Sequence, residues 1–102
     1  LSKDKRTVEG AESAFMIISH LYDKGDFEQV ESKVFEFSDS RTPHSYWLAR
    51  SFILLGDTYA EKENWAQAKA TYNSILESYK GANRKDIVEQ INIRLQKIAE
   101  IE

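Results

Sequence analysis

The residues of this sequence that could do chemistry are few, and those spaced to act together point to noncovalent recognition. His20 and His44 are the only two side chains that titrate near neutrality without perturbation. His20 lies beside Asp23 on a helix-spaced stretch and His44 follows Pro43 at a helix start, so the expected roles are an exposed helix residue and a polar first turn. No HExxH, Gly-rich phosphate loop or GxSxG occurs, and without Cys there is no thiolate nucleophile, disulfide or cysteine metal site. Carboxylates are plentiful, but Glu61-Lys62-Glu63 and the Glu and Lys residues of the last stretch read as solvated faces. The sequence therefore predicts no catalytic residue, cofactor or metal site. One stripe does stand out: Tyr46, Arg50, Ile53, Asp57 and Glu61 recur at intervals of four, three, four and four, which places them on one side of a helix. Arg50 can offer a planar pair of donors to a carboxylate or carbonyl, and Tyr46 an amphipathic ring.

The elements that carry these residues follow from apolar spacing. Val8, Ala11, Ala14, Phe15, Ile17, Ile18, Leu21 and Tyr22 predict a first helix over about 7–23, ended by Lys24-Gly25. Asp26, with Gln29 three residues on, is expected to cap a second helix to about Ser38, with Phe27, Val30, Val34 and Phe37 facing inward. Ser38 to Arg41 breaks the pattern, and Thr42-Pro43 is expected to open a third helix reaching about Lys62. Its run Ser51-Phe52-Ile53-Leu54-Leu55-Gly56 is apolar on nearly every side, the mark of a helix buried in the middle of something. Asn64, with Gln67, is expected to cap a fourth helix whose apolar face is Trp65, Ala68, Tyr72, Ile75, Leu76 and Tyr79, with Gly81 as its stop. Asn83 is expected to cap a last helix from about Arg84, apolar along Ile87, Val88, Ile91, Leu95, Ile98 and Ile101, with Ile93 left on an otherwise polar side.

An internal repeat is visible. Asp26-Phe27-x-Gln29-Val30 and Asn64-Trp65-x-Gln67-Ala68 share a pattern, and both 64 − 26 and 68 − 30 equal 38. The same shift maps the stripe onto Val8, Glu12, Phe15, Ser19 and Asp23 of the first helix. The expected domain is thus all-α: repeat one over about 7–41, repeat two over about 42–82 and a terminal helix over about 84–101.

Composition bounds the rest. With 41% hydrophobic and 12% aromatic residues, 102 residues suffice for one packed core. A net charge of −3, from 17 acidic and 14 basic residues mixed along the chain, provides no basic patch for nucleic acid and no basic face for a membrane. No apolar run reaches the roughly 20 residues of a membrane span. The opening Leu1-Ser2-Lys3-Asp4-Lys5-Arg6 is neither an initiator Met nor a signal peptide, and the expectation is a fragment of a longer protein.

The second copy, Phe52-x-x-Leu55-Gly56-x-x-Tyr59 followed by Ala68-x-x-x-Tyr72, resembles a tetratricopeptide repeat. Phe52 stands where that family usually has Trp and Tyr72 where it usually has Phe, and Lys80-Gly81 replaces its closing Pro. The stretch Thr42 to Arg50 also resembles the opening of a repeat in bacterial cell-envelope proteins of this kind from Bacteroides-like bacteria. The resemblance implies an α-solenoid of antiparallel helix pairs, with a terminal helix that either caps the stack or begins another repeat, and it favours the bacterial periplasm or cell envelope while leaving the cytoplasm open. It implies a non-catalytic scaffold that holds a peptide or protein segment on the concave face of the first helix of each pair, through Glu12, Phe15, Ser19, Tyr22, Asp23, Tyr46, Arg50, Ile53, Asp57 and Glu61. On that reading Phe15 and Ile53 floor the groove, and Asp23, Asp57 and Glu61 make one side acidic. A segment with apolar anchors and some basic residues is then the better ligand, and Arg50→Ala and Asp57→Ala should leave the fold intact. The plain alternative for the stripe is that Phe15 and Ile53 pack between helices and the charges are solvated. An alternative function is a structural spacer or oligomerisation segment of a longer solenoid. Two repeats fall short of the three usually needed, so an end of the stack is expected to be covered by further parts of the parent protein or by another copy.

Overall fold

The computed structural model describes residues 8–40, 45–79 and 84–101. Five helices follow one another: α1 (Val8–Lys24), α2 (Phe27–Asp39), α3 (Ser45–Glu61), α4 (Trp65–Ser78) and α5 (Arg84–Ile101). These match the spans read from apolar spacing within two residues wherever an end is described. Thr42-Pro43 and His44 at the expected start of α3, Arg41, and the Gly81 and Asn83 signals lie outside the described residues.

The 38-residue shift reappears as geometry. α1 closes with Gly25 N–H on the Tyr22 carbonyl and Asp26 N–H on that of Leu21, while α3 closes with Glu63 N–H on Ala60 and Asn64 N–H on Tyr59. Each partner in the second turn is its counterpart in the first plus 38. Both turns need one left-handed residue, supplied by Gly25 at φ 80° and Glu63 at φ 60°. For Glu63 this conformation costs about 1–2 kcal/mol. Gly25→Ala, which would meet no atom within 4 Å and so acts only through the backbone, is expected to lower stability by about 1 kcal/mol. Glu63→Gly is expected to raise it slightly, the relieved strain being partly offset by a floppier unfolded chain. Denaturant titration of both variants checks this pair of opposite signs.

The caps differ between copies. The Asn64 side chain accepts from Gln67 N–H at 3.4 Å, whereas the Asp26 side chain makes no cap hydrogen bond, so the capping box expected there does not form.

α3 is the hub, packed against α1, α2, α4 and α5, while α5 also packs on α4. The core runs through Ala11, Ile18, Val30, Val34, Phe37, Ile53, Leu55, Ala68, Tyr72, Ile87, Ile91 and Ile98. Ser51 and Thr58 are fully buried on α3, and each hydroxyl donates to the carbonyl four residues back, on Trp47 and Leu54, so neither polar group is left unpaired. Gly56 lies under the ring of Tyr72: a Cβ there would stand 2.8 Å from two ring carbons. At the equivalent positions copy one carries Ile18 and Val34, both buried. Copy two thus has moved side-chain volume from the first helix of the pair to the second. Among the described residues the large apolar side chains left exposed are Met16, Ile17, Phe35, Ile93 and Ile101.

Candidate functional site: the α1, α3 and α5 face

Of the ten residues expected to line a concave face, Phe15, Tyr46 and Arg50 form one cluster, Tyr22, Asp57 and Glu61 belong to a second, Ile53 lies in the core, and Glu12, Ser19 and Asp23 join neither cluster by any contact among the described residues. Ile53 is 2% exposed and belongs to the core, so it does not floor a groove; the plain alternative holds for it, because α3 is covered on more sides than its own spacing reveals. Phe15 is half-buried and packs on Trp47, with ring centroids 5.6 Å apart.

The first cluster surrounds Arg50. Its guanidinium carbon lies 4.6 Å from the Phe15 ring centroid, 5.6 Å from that of Trp47 and 5.8 Å from that of Tyr46. Three aromatic rings thus lie within cation–π range of the guanidinium, whose N–H donors make no hydrogen bond among the described residues. Trp47 was not among the expected site residues, although contact with α1 or α2 is the ordinary reading of its place on the helix. Glu12 is exposed and Ser19 and Tyr46 half-buried on the same helices.

The second cluster joins the ends of α1 and α3 to α5. Tyr22 Oη donates to Glu61 Oε1 at 3.5 Å. Asp57, its side chain 16% exposed, accepts from Arg94 Nε of α5 at 2.8 Å and from the Tyr72 hydroxyl of α4 on the same oxygen. Asp57 is thus tied into the packing rather than free on a groove wall, which corrects the expectation that its removal leaves the fold intact. Burial raises the Tyr72 pKa well above its usual range, and donation to Asp57 adds to the effect. Tyr22 is pushed up to about 12, first by burial and then by the neighbouring Asp57 and Glu61 carboxylates. Both phenols stay protonated as donors at any physiological pH. Asp23 and Glu61 are exposed.

Between these side chains lies a groove of about 510 Å³, in which Tyr22, Asp57 and Glu61 face Ile93, Arg94, Lys97 and Ile101. Ile93 and Ile101 are 50% and 61% exposed. Ile93 was legible as an apolar residue on a polar side of the last helix; Arg94 and Lys97 gave no comparable signal, since any surface helix carries such charges.

Among the described residues no three His, Cys, Asp or Glu side chains gather as metal ligands, and His20 is exposed. No described helix is long and apolar enough to cross a membrane. No protein-family model, curated protein or solved structure matches the chain.

Proposed function

We propose that this protein is a non-catalytic, tetratricopeptide-like scaffold that holds a peptide or protein segment along the face shared by α1, α3 and α5. The observation that carries this reading is the groove flanked by Ile93 and Ile101, two aliphatic side chains at least half exposed beside charged walls. Apolar anchors set among polar groups are the arrangement by which grooves take amphipathic segments. Glu61 and Glu63 line one side and Lys97 the other. A ligand that fits both places apolar residues over the isoleucines, basic residues toward the glutamates and an acidic residue toward Lys97. Arg50, framed by rings nearby, adds a donor for a ligand carboxylate or carbonyl.

The test is fluorescence anisotropy with a panel of amphipathic peptides carrying this charge order, and with the same peptides charge-reversed. The designed order should bind and the reversed order should not. Ile93→Asp and Glu61→Lys are each expected to weaken binding about tenfold, and Arg50→Ala to weaken it less, with melting temperatures held near that of the parent. If no peptide binds, or binding is indifferent to all three changes, this face is not a recognition surface.

A further inference from the structure

Arg50 differs from the other described arginines in what its donors meet. Arg84 donates from Nε to the Tyr79 carbonyl and from Nη2 to that of Leu76, and Arg94 donates from Nε to Asp57 and from Nη1 to the Gln90 carbonyl. Arg50 makes neither a hydrogen bond nor an ion pair among the described residues, although it is half-buried against the rings of Phe15, Tyr46 and Trp47. Glu12, one turn before Phe15 on α1, leaves it unpaired. A guanidinium that rings have partly desolvated, and whose donors are unmet, gains most from an anion brought from outside. The rings also hold the fork in place, so little side-chain freedom is left to lose on pairing.

Its position relative to the groove is set by the helix. Arg50 precedes Asp57 by seven residues and Glu61 by eleven, so all three leave α3 on nearly the same side, with Arg50 about 10 and 16 Å from them along the axis. Phe15 and Tyr22, also seven apart, repeat the arrangement on α1, Phe15 meeting Arg50 and Tyr22 meeting Glu61. The two helices therefore share one seam, with a cation near its start and Glu61 and Glu63 at its groove end, where Lys97 faces them from α5.

From this we infer that Arg50 is a carboxylate subsite, which takes the side chain of an acidic residue of the bound segment and so fixes the direction of that segment along the α1–α3 seam. The inference rests on the recognition reading of the α1–α3–α5 face. A segment that satisfies both ends carries this acid about 16 Å from the basic residues that meet the glutamates, a span of about five residues in an extended chain or about eleven in a helix.

Two measurements on the full chain test it. In the first, isotope-labelled protein is titrated with N-acetylglutamate amide, which carries one carboxylate, and with sodium chloride at equal ionic strength. The Arg50 Nε–H and Trp47 indole N–H resonances should move saturably with the carboxylate alone, while those of Arg84 and Arg94 stay put, and Arg50→Gln should abolish the Trp47 movement. An Arg50 resonance that answers both salts alike overturns the inference. The second is a double-mutant cycle with the amphipathic peptides, given one additional Glu at the helical or the extended spacing. Replacing that Glu by Gln should weaken binding to the parent about fivefold and leave binding to Arg50→Gln unchanged. Arg50→Lys, which keeps the charge but not the fork, should recover only part of the difference, and shifting the Glu by two positions should weaken binding about as much as removing it. Thermal melts of both variants confirm that the fold is kept. Peptides that bind without any coupling to Arg50 overturn this inference and leave the recognition reading standing. If no peptide binds, the recognition reading falls and the direction-setting role with it, while the titration alone decides whether Arg50 takes a carboxylate.

Discussion

Gly56→Leu should lower the melting temperature substantially. Even the first carbon of a side chain at this position would stand 2.8 Å from two atoms of the Tyr72 ring, and Tyr72 is 1% exposed with its hydroxyl fixed on Asp57. Either the ring shifts and gives up its hydrogen bond to Asp57, or α3 and α4 separate, and each outcome loses packing. Overpacking of this kind costs about 1–3 kcal/mol and occasionally more, which for a domain of this size means about 4–8 °C per kcal/mol. Copy one indicates the remedy, because it accommodates Ile18 opposite Val34. The double variant Gly56→Ile with Tyr72→Val should therefore recover part of the stability lost by Gly56→Ile alone. A thermal melt in which Gly56→Leu matches the parent would show that the helices do not cross there, and a double variant no better than the single one would show that volume is not what the pair exchanges.

Asp57→Ala is expected to be the second most damaging change. It strips the acceptor from Tyr72, which is left as a buried hydroxyl with no partner, and from Arg94, which joins α5 to α3. An unmet buried donor costs about 1–3 kcal/mol. The ion pair itself adds less, because the Arg94 side chain is 30% exposed and water screens it. Asp57→Asn keeps an oxygen for Tyr72 and should fall between Asp57→Ala and the parent. Tyr72→Phe in the Asp57→Ala background removes the orphaned hydroxyl and should cost little further. Equal losses for Asp57→Ala and an exposed substitution such as Glu12→Ala would show that this oxygen holds nothing together.

Much of the fold was legible in the sequence because it rests on local spacing. Apolar residues three and four apart located all five helices. The shift of 38 between Asp26 and Asn64 anticipated two turns with the same hydrogen bonds. The recognition face was legible only in outline. Helical periodicity gives the angle at which Ile53 or Asp57 leaves α3 but not which neighbour covers that angle, and α3 has neighbours on four sides. Asp57 reads as a groove carboxylate until α5 brings Arg94 to it from 37 residues away. No short-range pattern encodes that meeting. The run Ser51 to Gly56, apolar all round, held the relevant hint: a helix so enclosed leaves few of its stripes to solvent.

The central place of α3 also sets how the molecule can come apart. In a one-dimensional stack each unit leans only on the next, and ends can fray while the middle persists. Here α5 rests on α4 and α3, and α2 on α1 and α3, so either can open by itself while the remaining helices keep their support. Loss of α3 leaves no two-hairpin remainder to persist. Backbone amides in the middle of α3 should therefore exchange with solvent more slowly than those of α5, which has a cheaper local route. Because α5 forms one wall of the groove flanked by Ile93 and Ile101, a segment bound against it should hold α5 down and so stabilise the whole chain.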